Sequence, residues 1–405
     1  MYQITTLSNG IRIVHKEIDS EVSYCGMIIN TGTRDESENQ HGIAHFTEHL
    51  LFKGTRKRKT FQILNRMENV GAEIDAYTSK EETCVTVAFL NEYYERTIDY
   101  INDIIFNSQF PEKEIIKEQD IIIDEINSYK DNPAEIIFDD FENFLYPNHS
   151  LGYNILGTKI QLKKYKINDF KKYTSEKYNT DQMVLCSIGN IKFDKLVKIC
   201  KKYFEKNPGN YRTFIRESFS KKIIFNKIIK KNTYQTHCIL GTYAYSVKED
   251  KRLPLMLLTN YLGGSGMNSK LLTALREKKG LCYNIEANFN PYEDIGNFNI
   301  YFGVDKENTE KVIQLIYKEL ETLKIKGIND IQLSKIKKQF IGQMILTNSI
   351  HSNILISLGK SLLVYNQIET LQESVKEIET ISSKEILEVA NEILDIHNFS
   401  TLIYN

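Results

Sequence analysis

The chain has 405 residues and lacks tryptophan, an excess of one charge and any long apolar run. Its formal net charge is −1, and no lysine and arginine cluster is interleaved with stacking aromatic residues. This composition argues against a nucleic-acid-binding protein. No stretch approaches the ~20 apolar residues that a membrane-spanning helix needs, so we expect no membrane association. The missing tryptophan, beside many lysine, isoleucine, asparagine and tyrosine residues, indicates compositional drift rather than a function.

Cysteine is sparse as well. There are six cysteines, and none forms a Cys-x-x-Cys pair or a close cluster. Five lie among apolar or strand-like neighbours, as in VSYCGMII and ETCVTVAF, which predicts buried reduced thiols rather than a disulfide framework or a thiolate metal site. The N-terminal segment MYQITTLSNGIRIVHKE has no apolar signal-peptide core, so we expect a cytoplasmic protein.

The composition of the chain is that of an ordinary soluble protein, and the order of its segments indicates an internal repeat. The apolar fraction is 41% and the charged fraction is 26%. The order of strand-like and helix-like segments in the first half recurs about 210 residues later. His237–Tyr245 resembles Cys25–Thr33, and Phe298–Val304 resembles Cys84–Leu90. This pattern indicates an old duplication that produced two α+β domains of one architecture.

The duplication sets the predicted domain boundaries. Residues 1–207 form the first domain, 208–222 a linker and 223–405 the second domain. The linker is polar, contains proline and glycine, and lacks a clean periodicity. The basic run at 56–59 reads as a solvated turn. Hydrophobic patterning in the first domain predicts strands at Val22–Thr31, Ile74–Tyr77, Cys84–Phe89 and Val184–Ile188, and helices at Thr60–Val70, Glu92–Phe106 and Pro111–Tyr129.

The segment HGIAHFTEHLLFKG, residues 41–54, carries the clearest chemistry. Its apolar residues have helical spacing, so His45 and His49 lie on one face and can place two imidazole nitrogens around one ion. Zinc accepts histidine nitrogen and carboxylate oxygen, and a catalytic site keeps one position for water. Glu48 is placed to take a proton from that water, as in the inverted His-x-x-Glu-His arrangement. The alternatives are a solvated helix face and a purely structural zinc site.

The repeat provides an internal control for this segment. Where the first half has His45, Glu48 and His49, the second half has LMLLTNYLGG, which contains neither histidine nor carboxylate. A residue that the fold requires should tend to recur in both halves. The triplet does not recur, which favours a functional role over a structural one.

Two histidines need a third ligand, and the helix KEQDIIIDEINSYK offers several acids. Glu118 and Glu125 are seven residues apart, so they share a face of the helix, and the apolar run between them indicates that the helix is packed. One acid can ligate the metal while the other orients a ligand histidine. Spacing alone leaves Glu118, Asp124 and Glu125 open as the ligand.

At this point the sequence resembles the pitrilysin or insulinase family of metallopeptidases, which includes the insulin-degrading enzyme and the mitochondrial processing peptidase. The resemblance covers nearly the whole chain and rests on five segments in the family's order. These are GTRDESENQHGIAHFTEHLLFKGT, GAEIDAYTSKEET, EQDIIIDEINSYKDNP, NHSLGYNILGT and LGGSGMNSKLLTALREKKGLCYNIEA. The single-unit length is similar to the processing-peptidase branch.

The resemblance implies an α+β fold of two duplicated domains, each a mostly antiparallel sheet packed with helices. It implies one zinc ion per chain, bound by His45, His49 and Glu125. It also implies that Glu48 is the catalytic base and that Glu118 supports the site behind the ligands.

The resemblance also implies residues that contact the substrate. The segment with Asp75, Ala76 and Tyr77 falls on an edge strand that pairs with an extended peptide. The family usually has asparagine at the position of Asp75. The family's arginine and tyrosine, which bind the substrate main chain and stabilise charge on the scissile carbonyl, fall on Arg276 and Tyr283.

The function that follows is a zinc-dependent endopeptidase that hydrolyses unfolded peptides inside a dimeric chamber, with zinc-bound water activated by Glu48. In fused relatives the arginine and tyrosine near the zinc come from the second unit. In a single-unit chain they would come from a partner, so we expect a homodimer. The alternative is a non-catalytic peptide-binding or assembly subunit of a processing-peptidase-type complex.

Overall fold

The computed structural model describes residues 2–405. Its eleven strands are β1 Tyr2–Thr6, β2 Arg12–Glu17, β3 Val22–Ile29, β4 Glu73–Thr78, β5 Thr83–Leu90, β6 Met183–Gly189, β7 Asn226–Ile229, β8 Thr236–Ala244, β9 Cys282–Pro291, β10 Gly296–Val304 and β11 Ser400–Tyr404. No α-helix in this described part of the chain combines the length and apolar character needed to cross a membrane. The cytoplasmic location stays a prediction.

The α-helices are α1 Ile43–Leu51, α2 Thr60–Glu68, α3 Tyr94–Phe106, α4 Glu112–Lys130, α5 Pro133–Leu145, α6 Lys159–Leu162, α7 Ile167–Lys177, α8 Phe193–Phe204, α9 Arg252–Gly263, α10 Lys270–Leu272, α11 Thr309–Lys326, α12 Asp330–Thr347, α13 His351–Tyr365, α14 Leu371–Thr380 and α15 Ser383–Ile393. The strands and helices predicted in the first domain are all present, with ends that differ by at most two residues.

The two sheets have the same strand order. The first runs β1-β2-β6-β3-β5-β4, and the second runs β7-β11-β8-β10-β9. Each contains one parallel pair, β2 with β6 and β11 with β7, and the other neighbours are antiparallel. Apart from β1, every strand of the first sheet has a counterpart at the same place in the second. The predicted duplication and the α+β class with mostly antiparallel sheets are confirmed.

The chain divides into two compact units that are not continuous in sequence. The first contains residues 1–127, 153–216 and 348–368, and the second contains residues 128–152, 217–347 and 369–405. The predicted division at 1–207, 208–222 and 223–405 therefore follows the order of the repeats but not the compact units. Each unit takes one helix from the other half of the chain.

Burial of apolar surface explains this exchange. In the first unit α13 packs on β3 and β6, where Leu355 and Leu358 join Ile28 and Val184 in one buried cluster. In the second unit α5 packs on β8 and β11, where Phe141 joins Ile239 and other buried residues. In each unit, the helix from the other half of the chain covers the face of the sheet that the remaining helices leave open.

The predicted linker has no regular secondary structure, but its first part is held firmly by the first unit. Arg216 binds Asp35 through two hydrogen bonds of 2.9 and 2.8 Å, and Arg212 donates to the carbonyl of Asn30. In the basic run at 56–59, Arg56, Lys57 and Lys59 are exposed as predicted, and Arg58 alone is partly buried. Arg58 pairs with Asp99 and with the fully buried Asp103, because these two carboxylates on α3 need a cation.

Candidate metal centre

Helix α1 carries the two histidines of the sequence motif. Its apolar residues Phe46, Leu50 and Leu51 are fully buried in the core of the first unit, which fixes the rotation of the helix. His45 and His49 lie one turn apart on one face, and their ring centroids are 4.7 Å apart. The predicted shared face is therefore present.

Helix α4 supplies the third group. One carboxylate oxygen of Glu125 lies 3.9 Å from Nε2 of His45, and the other lies 3.9 Å from Nε2 of His49. In residues 2–405 these three side chains are the single group of three whose potential ligand atoms lie within 4.8 Å of one another. Asp124 does not join them. The structure thus brings together the residue set that the family resemblance implies.

The chemistry of these three side chains fits a zinc ion. Tetrahedral bonds of about 2.1 Å put neighbouring ligand atoms about 3.4 Å apart. The two separations between Glu125 and the histidines, 3.9 Å each, exceed this by about half an ångström, and all three potential ligand atoms lie within 4.8 Å of one another. The side chain of Glu125 is 44% exposed, so its carboxylate has room to move that far. Three protein ligands leave a fourth position open, as in catalytic rather than structural zinc sites.

The surroundings give the two histidines different proton affinities. Burial, together with a smaller effect of the neighbouring His49, lowers the pKa of His45 to about 3. His45 is therefore neutral near pH 7, and a ring nitrogen keeps its lone pair for a metal. Burial also opposes the charged form of His49, but its hydrogen bond to Glu118 and the charges of Glu48, Glu118 and Glu125 outweigh this and raise the pKa.

Glu48 lies between the helix and the neighbouring strand. Its residue is only 9% exposed, and one carboxylate oxygen accepts a hydrogen bond of 3.3 Å from Thr78 on β4. Burial raises the pKa of Glu48, although His49 and the hydrogen bond from Thr78 act in the opposite direction. A carboxylate whose pKa is moved towards neutrality is a better general base than an exposed one.

Glu118 lies behind the histidines and is nearly inaccessible to solvent. One of its oxygens accepts a hydrogen bond of 3.1 Å from Nδ1 of His49, and the other lies 2.9 Å from Nζ of Lys53. Burial alone would raise the pKa of Glu118, but these two donors outweigh burial and lower it. Because Nδ1 of His49 faces Glu118, its Nε2 is left to face Glu125.

Sequence reasoning missed Glu36, which supports the start of α1. Helix α1 begins at Ile43, and the residue before it, Gly42, has no side chain to cap the helix and adopts φ of 87°. The buried carboxylate of Glu36 instead accepts hydrogen bonds from the backbone N–H groups of Gly42, at 3.0 Å, and Ala44, at 2.8 Å. The signal was the acid Glu36 itself, but its backbone partners lie six and eight residues later in the sequence, a spacing that no local capping rule covers.

Comparison with known proteins decides the family. Residues 12–159 match the family model described as insulinase (peptidase family M16), and residues 164–340 match the model described as the peptidase M16 inactive domain. The uncharacterized zinc protease YmxG of Bacillus subtilis is 33% identical over 392 residues, which cover 96% of this chain and 94% of YmxG. The chain belongs to the insulinase (peptidase M16) family.

Other members of the insulinase family extend the likeness to both ends of the chain. An uncharacterized zinc protease of Rickettsia felis is 30% identical over 99% of this chain and 97% of its own length. Among solved structures, a protease from Helicobacter pylori has a TM-score of 0.93 and 21% identity, and covers 100% of this chain and 99% of the other. A peptidase M16 inactive domain from Pseudomonas fluorescens has the same TM-score at 16% identity. These two structures support the fold alone.

The strand that insulinase-family members are expected to offer to a peptide is at the edge of the first sheet. β4 pairs with β5 only. Ala76 packs against the core beneath α1, and Thr78 reaches Glu48. Tyr77 packs against the cluster on the other face of the sheet, where Lys360 lies 5.9 Å from its ring. By alternation Asp75 shares the face of Tyr77, so its side chain points away from α1.

Arg276 and Tyr283 lie in the second unit, and each is at a break in regular structure. Arg276 is in a π-helical turn, Thr273–Glu277, and its side chain is 47% exposed. Tyr283 is the extra residue where the β9–β10 register shifts, since Gly303 pairs with Asn284 and Val304 with Cys282. Such irregularities re-aim side chains and are frequent near functional sites. Their role in this insulinase-family chain stays a prediction.

Proposed function

We propose that this chain is a zinc-dependent endopeptidase that cleaves unfolded peptides. The observation that carries the proposal is the convergence of His45, His49 and Glu125 beside a buried carboxylate, Glu48. Relatives that span almost the whole chain are named zinc proteases, which supports the metal and the reaction class.

Each side chain has a defined task in this mechanism. Nε2 of His45, Nε2 of His49 and a carboxylate oxygen of Glu125 would hold one zinc ion per chain. A bound zinc ion supplies a Lewis acid, which polarises the scissile carbonyl and lowers the pKa of water at the open position. Glu48 accepts the proton of the attacking water and later returns it to the leaving amine. Thr78 orients Glu48 through its hydrogen bond.

The edge strand β4 supports an extended peptide as the substrate. Among residues 2–405, its outer N–H and C=O groups have no strand partner, because β5 occupies only one side. A peptide that adds to this edge is held by main-chain hydrogen bonds, with little dependence on its sequence. Thr78 at one end of β4 contacts Glu48, so such a peptide would pass the general base. In a folded protein most strands already use both edges for pairing within their own sheet, which favours unfolded substrates.

We propose that the working form is a homodimer with two composite sites that enclose a chamber. Arg276 and Tyr283 are exposed and lie on a different compact unit from the metal ligands. As the family resemblance implies, the pair from one chain would bind the peptide main chain at the metal site of the other. They would then stabilise the negative charge that develops on the scissile carbonyl.

Replacing Glu48 with glutamine tests the function directly. We expect Glu48→Gln to keep its zinc, because Glu48 is not a ligand, and to lose about 10²–10⁴-fold in cleavage of an unfolded peptide. Glu125→Gln should lose zinc, whereas Asp124→Asn, at the neighbouring acid, should keep both zinc and activity. Zinc content and peptide cleavage are measured on all four proteins. Equal activity of wild type and Glu48→Gln would refute the mechanism, and a zinc-loaded but inactive wild type would favour the non-catalytic subunit.

A further inference from the structure

We propose that Lys53 is a positioning residue for the metal centre, acting through Glu118 on His49. This inference rests on the proposed zinc function and adds a residue to it. Lys53 lies just beyond the end of α1, and its ammonium is 2.9 Å from Oε1 of Glu118. The other oxygen of the same carboxylate accepts the hydrogen bond from Nδ1 of His49. The three side chains form a row that ends at a metal ligand.

The burial of Glu118 makes a cation necessary. Its side chain is only 4% exposed, and a buried carboxylate without a charged partner costs several kcal/mol. In the described part of the chain, Glu118 pairs with Lys53 and His49. Lys53 supplies a full positive charge, so His49 needs to supply only an N–H hydrogen bond. The imidazole can then keep Nε2 directed at Glu125, which is 3.9 Å away.

The position of Lys53 is itself fixed by the structure around it. Its backbone N–H donates to the carbonyl of Leu50 at the end of α1, at 3.1 Å. Its own carbonyl accepts a hydrogen bond of 2.9 Å from the hydroxyl of Thr60 at the start of α2. The side chain is 25% exposed, so the aliphatic stem is packed while the ammonium reaches inward. A lysine held at both backbone groups is suited to orienting one carboxylate.

The consequence is a specific effect on metal affinity. Both oxygens of Glu118 have a donor, which leaves the carboxylate one orientation. Without Lys53 the carboxylate is free to turn towards water, and His49 loses the acceptor that sets its ring orientation. Removing partners behind a ligand histidine typically costs 10–100-fold in metal affinity. For Lys53, one step further from the metal, we expect a loss of about 10-fold.

Zinc affinity is the readout, measured by competition with a chelator on the full chain. The variants are Lys53→Met, Lys53→Arg, Glu118→Gln and the double variant Lys53→Met with Glu118→Gln. Lys57→Met is the matched control, because Lys57 is four residues away and its side chain is 54% exposed. Circular dichroism of the metal-free proteins shows whether each variant is folded.

We expect Lys53→Met to raise the zinc Kd about 10-fold, Lys53→Arg to restore most of the affinity, and Lys57→Met to have no effect. In the Glu118→Gln background, Lys53→Met should cause no further loss, because Lys53 acts through that carboxylate. Unchanged affinity in Lys53→Met, or losses that multiply in the double variant, would overturn the proposal. If Lys53→Met does not fold, Lys53→Arg decides: a loss of about 10-fold in a folded Lys53→Arg protein overturns the proposal, and an affinity close to that of the wild type supports it. A wild type that binds no zinc would refute the proposed function as well.

Discussion

Glu36 should make the stability of the first unit depend on pH. Its carboxyl group is buried, and burial raises its pKa from 4.5 to about 8, although the N–H groups of Ala44 and Gly42 and the charge of Lys80 oppose the shift. Asp35 adds a small effect in the same direction as burial. The folded protein therefore retains a proton that the unfolded chain releases at a lower pH. The perturbation that isolates this group is Glu36→Gln, which keeps the size of the side chain and cannot titrate.

The sign and size of this pH dependence follow from the linkage between proton binding and folding. A group whose pKa is raised on folding contributes stability that is fully present below pH 4.5 and is lost as the pH rises to about 8. At about 1.36 kcal/mol per pH unit, this interval corresponds to roughly 5 kcal/mol. The glutamine variant also leaves one of the two backbone N–H groups poorly paired, at about 1–3 kcal/mol. That cost does not vary with pH, so only the change of stability with pH is diagnostic.

The assay is urea unfolding of the metal-free protein at several pH values between 4.5 and 8.5. We expect the free energy of unfolding of wild type, relative to Glu36→Gln, to fall by roughly 5 kcal/mol across this range. Glu38→Gln is the matched control, since Glu38 is exposed two residues away in the same loop. The free energy of unfolding of Glu38→Gln should change with pH as that of the wild type does. Parallel pH profiles for wild type and Glu36→Gln would refute the reasoning.

Two further predictions concern the shared site and the ion pairs after α1. If Glu48 of one chain works with Arg276 of the other, mixing the inactive variants Glu48→Gln and Arg276→Ala should restore about a quarter of wild-type activity. Half of the dimers are then mixed, and each mixed dimer has one intact site of two. No recovery of activity, or a fully active monomer, would contradict the shared site. Arg58→Met should lower the free energy of unfolding in urea by about 3–5 kcal/mol, because it leaves Asp103 buried without its cation. The exposed Lys57→Met should lower it by about 1 kcal/mol or less. Equal losses in the two variants would contradict the role of Arg58 as the cation of Asp103.

The sequence predicted those features that depend on local spacing. The two histidines are four residues apart on a helix, so their shared face needs no knowledge of the tertiary fold. The repeat of strand-like and helix-like segments likewise predicted two related sheets. The choice among Glu118, Asp124 and Glu125 was different. It depends on how α4 is rotated against α1, which is set by buried residues such as Ile122, and spacing alone does not contain that information.

Apart from Glu36, the features that were missed depend on contacts that are distant in sequence. The cation for Glu118 is 65 positions earlier in the chain, at Lys53, and no local rule links them. The exchange of α5 and α13 between the compact units also has no local signature, because each helix is merely amphipathic and apolar surface does not specify its partner. Arg216 belongs to a polar segment, yet it is one of the most buried cations of the first unit. Composition gives the average environment of such residues, not the individual one.

The duplication allows the free-energy cost of the buried polar groups at the site to be separated from the free energy that stabilises the fold. In the second unit, α9 occupies the place of α1 and buries Leu255, Leu257, Leu258 and Leu262, and the sheet beneath it has the same strand order. In the first unit, that place holds a buried histidine and a buried carboxylate, and further buried carboxylates lie at both ends of the helix. Each such group costs free energy unless it is paired, whereas leucine stabilises the fold by burial alone. Since the second unit forms the same sheet without these groups, stability does not explain them, which favours the chemical role proposed for α1.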